Sequence, residues 1–143
     1  MTEGFAQPIR PLAVDAIIVN EAGAVLLIQR RDPPFAGYYA LPGGMVDVGE
    51  TVEQACCREV KEEVGLDITE DMIELVGIAS DPARDPRRNT ISAVYLVRYN
   101  GAAPAAGDDA TTAAFYADWQ QKDMAFDHGK ILRDALLVKQ KAA

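Results

Sequence analysis

The chain has 143 residues, nearly half of them hydrophobic and a quarter charged, the balance of a single folded domain with a real core rather than of a disordered chain. Its formal net charge of −8 argues against unspecific binding to nucleic acid, which needs a basic footprint. The longest apolar runs, AVDAIIV and AVLLI, are too short to span a bilayer, and MTEGFAQPIRP lacks the basic and apolar regions of a signal peptide.

In chain order, residues 1–10 read as an N-terminal arm ended by Pro8 and Pro11, and residues 11–141 as one domain. PLAVDAIIV (11–19) and AVLLIQR (24–30) read as strands around a turn at Asn20–Gly23, so a hairpin is expected. RDPPFAG is a loop, and YYALP a short extended piece ending at Gly43 and Gly44. Residues 51–64 form the clearest helix, with Thr51 and Gln54 as a capping box and Gly65 as its stop. The adjacent Cys56 and Cys57 cannot staple a fold and match no zinc spacing; they read as helix packing residues, in a reducing, cytoplasmic setting. MIELVGIAS (72–80) and TISAVYLVRY (90–99) read as strands, NGAAPAAGDDATT as a long loop, and AAFYADW as a further strand. Asp127 is expected to cap a last helix at 128–140, with the only histidine, His128, at its start. Irregular alternation of strands and helices predicts an α/β domain with a mixed sheet between helices.

The 51–64 helix carries an unusual cluster in REVKEE. With Glu59 set at zero and about 100° per residue, Val52, Cys56, Val60, Val64 and Cys57 cover an apolar arc from about 20° to 160°. Glu63 lies at about 40°, stacked one turn from Glu59 on the border of that arc, while Glu62 lies further out at about 300°. Like charges this close repel each other by a few tenths of a kcal/mol per pair. Two stacked carboxylates suit a hard divalent cation such as Mg²⁺, and Gly43 and Gly44 permit a tight backbone approach that leaves carbonyl oxygens for the same shell. Arg58 is placed to hold carboxylates by forked hydrogen bonds.

Residues 44–66, GMVDVGETVEQACCREVKEEVGL, resemble the Nudix box G-x5-E-x7-R-E-U-x-E-E-x-G-U, U being aliphatic. Gly44, Glu50, Arg58, Glu59, Val60, Glu62, Glu63, Gly65 and Leu66 fill every specified position. The resemblance implies a Nudix-type α/β/α sandwich with a mixed β-sheet, and metal-dependent hydrolysis of a nucleoside diphosphate linked to another moiety. It implies Glu59 and Glu63 as main ligands of Mg²⁺ (or Mn²⁺), the Gly43 carbonyl beside them, Glu62 as a further ligand or a group acting on water, and Glu50 and Arg58 as supports.

SDPARDPRRNT (80–90) holds Arg84, Arg87 and Arg88 in a loop stiffened by Pro82 and Pro86, either a pyrophosphate grip or a turn-rich surface hairpin. Pro82, sixteen residues beyond the box, the SDPxRDPR pattern and AFDH (125–128) are similar to small ADP-ribose pyrophosphatases, although Asn89 stands where histidine is common in that group. That likeness implies ADP-ribose as substrate, with AMP and ribose 5-phosphate as products. Phe35 and Tyr39 are candidates to stack on the base. Arg30 and Arg31 read as a solvated strand end. Glu62 and the loop residues Asp108 and Asp109 are candidates for the general base, the loop being favoured. Alternatives are sanitation of damaged nucleoside triphosphates, with another base pocket, and a non-catalytic ADP-ribose sensor. The expected partner is a small nucleotide, with no nucleic acid or membrane, and a homodimer is the expected assembly.

Overall fold

The apolar run LAVDAII forms β1 (Leu12–Ile18), buried along all but its first residue. In the computed structural model, which describes residues 10–107 and 110–142 and side chains as far as residue 136, β1 lies inside a four-stranded sheet. It pairs antiparallel with β4 (Gly43–Met45) and parallel with β6 (Ile91–Val97), and β5 (Ile73–Ala79) closes the far edge antiparallel to β6. β3 (Tyr39–Ala40), β2 (Val25–Arg30) and β7 (Ala110–Tyr116) make a second, antiparallel sheet. Helix α1 (Val52–Val64) packs on β1 and β4, and α2 (His128–Ala142) reaches β5.

The two-residue period of the strands divides the core. Val14, Ala16 and Ile18 join Leu26, Ile28, Tyr95 and the Ala55, Cys56, Val60 and Val64 face of α1. Ile17 points the other way and joins Val25, Leu27, Val94, Trp119 and the Ile131 and Leu132 face of α2. Strands covered on both faces have to be apolar on both, which is why β1 and β2 read as runs rather than alternations. Each fully buried Leu or Ile contributes roughly 1.5–3 kcal/mol. The layers are those of the expected α/β/α sandwich.

Helix α1 starts and stops as read. The Thr51 side chain accepts from the Gln54 N–H at 3.0 Å, the Gln54 side chain accepts from the Thr51 N–H at 2.9 Å, and Gly65 ends the helix at φ +72°. A left-handed residue there favours glycine.

Four expectations change. β1 and β2 share one bridge, Val19 with Val25, and then part into different sheets instead of forming a hairpin, because each strand finds longer partners elsewhere. The last strand begins at Ala110 and takes in Thr111 and Thr112, and Trp119 falls in a separate short 3-10 turn, Trp119–Gln121. The buried side of α1 includes Ala55 and Glu63 while Cys57 is only half-buried, so the face is turned towards the glutamates. The helix at His128 begins as expected, but the Asp127 carboxylate is held by Arg84. Residues 1–9 of the expected arm lie outside the described residues.

Candidate active site

The turn of α1 towards the core buries two of its three clustered glutamates. Glu63 is 8% exposed and the Glu59 side chain 15%, whereas that of Glu62 is 58% exposed. Burial raises the Glu59 carboxyl above its usual range, against the opposing pull of Arg58. Arg58 is the hub of the cluster. It donates to Glu50 at 2.6 and 3.0 Å, to Glu59 at 2.7 Å, to Glu62 at 2.9 Å and to the Met45 carbonyl at 2.9 Å. These hydrogen bonds, with an Asp47 N–H, draw Glu50 down to about 2. The guanidinium thus fixes the carboxylates and the β4 backbone relative to one another and has no donor directed at a substrate.

The glycines of β4 are required by close approach. A Cβ at Gly44 would lie 2.4 Å from the Glu59 carboxyl, and one at Gly43 would lie 2.2 Å from the Val14 carbonyl. The carboxylate therefore rests directly on the turn backbone. This all-oxygen donor set of Glu59, Glu63 and backbone carbonyls fits Mg²⁺ or Mn²⁺. Among the described residues, no three His, Cys, Asp or Glu side chains form a ready metal cluster, so backbone and ligand oxygens have to complete the shell.

Glu63, Gly44, Arg30, Arg87 and Thr90 are among the residues that line a small cleft of about 80 Å³. Arg30, read from the sequence as a solvated strand end, is half-buried here and feels the charge of Glu63. Its Nε donates to the Pro34 carbonyl at 2.8 Å. Burial and the neighbouring Arg87 lower its pKa, the mark of two cations sharing a wall. Both guanidinium groups lie over the Phe126 ring, at 5.1 and 5.5 Å. Nothing in the isolated motif QRRDPP distinguishes Arg30 from Arg31; what sets Arg30 apart is that it ends β2 beside β3.

A larger cavity of about 690 Å³ lies between β5, residues 80–86 and α2, and shares Arg84 and Phe126 with the cleft. Phe35 and Phe126 wall it, packed edge-on at 5.0 Å, both with positive φ, +62° and +53°. Non-glycine residues held in that region concentrate at functional sites. Phe35 is where the sequence reading wanted it. Tyr39 is not: its ring packs on Tyr116 and under Lys122 in the core beneath α2, and it lines neither cavity.

The three arginines of the 80–90 loop have different fates. Arg84 is buried and makes a forked pair with Asp127 at 2.8 and 2.9 Å, with Asp15 at 3.8 Å. Burial alone would lower its pKa, but Asp127, Asp15 and Asp85 raise it, so it is a fixed cation with internal partners. Arg87 pairs with Asp85 at 3.0 Å and keeps 44% of its side chain exposed. Arg88 is exposed. Behind Arg84 the buried Asp15 accepts from Ser92 at 2.5 Å and faces His128 Nε2 at 3.4 Å. His128 Nδ1 accepts from the Leu41 N–H at 3.0 Å and burial lowers its pKa, so the ring is neutral with its proton on the Asp15 side. His128 thus links the start of α2 to the Leu41 backbone and to Asp15.

The candidate bases Asp108 and Asp109 lie outside the described residues. The loop before them is tied to α1, since the Gly107 N–H donates to the Glu63 carbonyl and the Ala105 N–H to the Val64 carbonyl, both at 2.8 Å. A Cβ at Gly107 would stand 1.8 Å from the Glu62 carbonyl oxygen, so a glycine is needed for the loop to cross there.

The family model for the NUDIX domain matches residues 9–135. The chain is 46% identical over 128 residues to an ADP-ribose pyrophosphatase of Methanocaldococcus jannaschii, which covers 90% of this chain and 74% of that protein. The NUDIX domain of Shewanella oneidensis NrtR, solved in complex with ADP ribose, superposes with a TM-score of 0.82 at 26% identity over 96% of this chain and 92% of that one. A MutT/nudix family protein from Enterococcus faecalis also superposes at 0.82, with 30% identity over 90% of this chain and 61% of that longer one.

Proposed function

The chain belongs to the NUDIX domain family and is a Nudix hydrolase, and we propose that it cleaves the pyrophosphate of ADP-ribose to give AMP and ribose 5-phosphate. The observation that carries this reading is the paired geometry of the site. A small cleft is lined by Glu63, Arg30 and Arg87, and a larger cavity lined by Phe35 and Phe126 adjoins it. A charged pyrophosphate suits the first, and a base or sugar the second. The likeness to the archaeal ADP-ribose pyrophosphatase favours the same substrate.

In this reading Arg30 and Arg87 bind the non-bridging phosphate oxygens, with Arg88 at the rim. Glu59, Glu63 and the Gly43 carbonyl hold Mg²⁺ or Mn²⁺. The bound ion supplies positive charge to the phosphates and lowers the pKa of a coordinated water. Arg58 keeps Glu59 and Glu50 oriented and excludes their rotation. Glu62, turned to solvent on Arg58, serves the cluster's charge balance. Asp108 or Asp109 takes the proton of the attacking water. The proposed setting is cytoplasmic. The proposed assembly is a homodimer, for which Leu75 and Ile78, exposed on edge strand β5, offer an apolar surface.

The test is a substrate panel of ADP-ribose, NADH, diadenosine polyphosphates and 8-oxo-dGTP, ranked by kcat/KM with products identified by mass. ADP-ribose should lead by at least about tenfold. Preference for 8-oxo-dGTP would assign the larger cavity to a damaged base. Tight ADP-ribose binding without product release would make the chain a sensor.

A further inference from the structure

Three hydroxyls stand at or near the start of β6, and two of them have partners. Ser92 donates to Asp15, and the Tyr95 hydroxyl donates to Glu53 at 3.0 Å. The third, on Thr90, does not. Thr90 is 3% exposed, and its Oγ1 finds no hydrogen-bond partner among the described residues. Its backbone is in use, the N–H donating to the Arg88 carbonyl at 3.0 Å, so the orphan is the side chain alone. Burying an unpaired hydroxyl is unfavourable, and a valine of the same shape would avoid that cost.

The position of Thr90 explains the exception. It lines the small cleft that Glu63, Arg30 and Arg87 also line. A hydroxyl in a lining that carries two guanidinium groups has an anionic oxygen as its natural acceptor once a ligand is seated, and the cleft's volume of about 80 Å³ exceeds several-fold what one water needs. We propose that Thr90 is a substrate-binding residue that donates its hydroxyl to a non-bridging phosphoryl oxygen held by Arg30 and Arg87. This rests on the reading of the cleft as the pyrophosphate site, and it assigns that site a neutral donor beside its two cations. A neutral donor adds directionality without further charge, and holds one phosphoryl group in register with Glu63.

The experiment compares wild type, Thr90→Val and Thr90→Ser by thermal stability, by binding of inorganic pyrophosphate in calorimetry, and by kcat and KM on the best substrate of the panel. Thr90→Val should have a Tm equal to or above wild type, and should bind pyrophosphate about tenfold more weakly, with a matching rise in KM. Thr90→Ser, which keeps the donor, should bind within about threefold of wild type. Thr90→Ala, also lacking the hydroxyl, carries the same comparison if the valine variant does not fold. Pyrophosphate binding equal in wild type and Thr90→Val overturns the proposal whatever Tm does, and so does weakened binding that serine does not restore. The pyrophosphate measurement does not depend on which nucleotide is cleaved. A wild type that ignores ADP-ribose but binds pyrophosphate through Thr90 would therefore sink the substrate assignment alone.

Discussion

At helix α1, Glu59, Glu62 and Glu50 gather around a single guanidinium, Arg58; Glu59 rests against Gly44 of β4, and Glu63, one turn further on, is buried. In residues 80–90 the ratio is reversed in effect: Arg84 is held by Asp127 and Asp15, and Arg87 by Asp85, each cation with its own carboxylate. One segment contributes Glu63 to the lining of the cleft, and the other largely neutralises its positive charge within the fold. Two charged clusters of equal promise in the sequence thus differ once folded, because the fold pairs Arg84 internally and leaves the Arg87 side chain 44% exposed.

Four substitutions break or sharpen that contrast. Glu63→Gln preserves shape and removes the buried charge that α1 contributes to the cleft. It should lower kcat/KM by more than about a hundredfold with the circular dichroism spectrum and Tm retained, since a bound ion supplies several kcal/mol to the transition state. Activity within tenfold of wild type at saturating Mg²⁺ would remove Glu63 from the site.

Arg84→Ala should act on the fold instead. It leaves Asp127 and Asp15 without their cation, and breaking a buried pair costs about 3–5 kcal/mol. Urea denaturation measures this. A variant with native stability and only a raised KM would return Arg84 to the substrate-gripping role expected from its sequence context.

Arg87→Ala should do what was expected of the whole loop. Its pair with Asp85 is partly solvated and contributes little, so Tm should move slightly, while KM rises about tenfold and kcat stays within about threefold. Steady-state kinetics on ADP-ribose separates this from a purely structural role.

The smallest effect belongs to Glu62→Gln. Its carboxylate is 58% exposed and touches Arg58 rather than the cleft, so kcat should stay within about threefold. A loss as large as that of Glu63→Gln would show that all three glutamates act together and that the buried and exposed members of the cluster do not differ.

Much of the molecule was legible in the sequence. The caps of α1 depend on Thr51, Gln54 and Gly65 alone, all within a turn of the helix ends, and they stand as read. The separation of Glu59 and Glu63 from Glu62 follows from helical geometry, which no tertiary contact alters. The strands β1 and β2 were visible in their apolar runs, broken only by Asp15 in the first and ended by Gln29 and Arg30 in the second. The family resemblance rested on a local stretch of 23 residues, Gly44 to Leu66.

Tertiary structure decided what long-range pairing controls. Whether β1 and β2 stay together depends on competing partners from β6 and β7, far along the chain, and those partners separate them into two sheets. The role of Arg84 depends on Asp127, 43 residues away, and on Asp15, neither of which its own loop announces. Tyr39 faces the core and Arg30 the cleft because β3 and β2 are fixed in register, Gln29 opposite Tyr39, a relation set by pairing rather than by composition. Thr90 looks like any strand residue until folding removes every acceptor from its hydroxyl and sets it in the arginine wall of the cleft. Helix caps and periodicities are properties of a few consecutive residues and so can be read in order. The partner of a buried charge or hydroxyl is chosen by the fold, and only the folded chain names it.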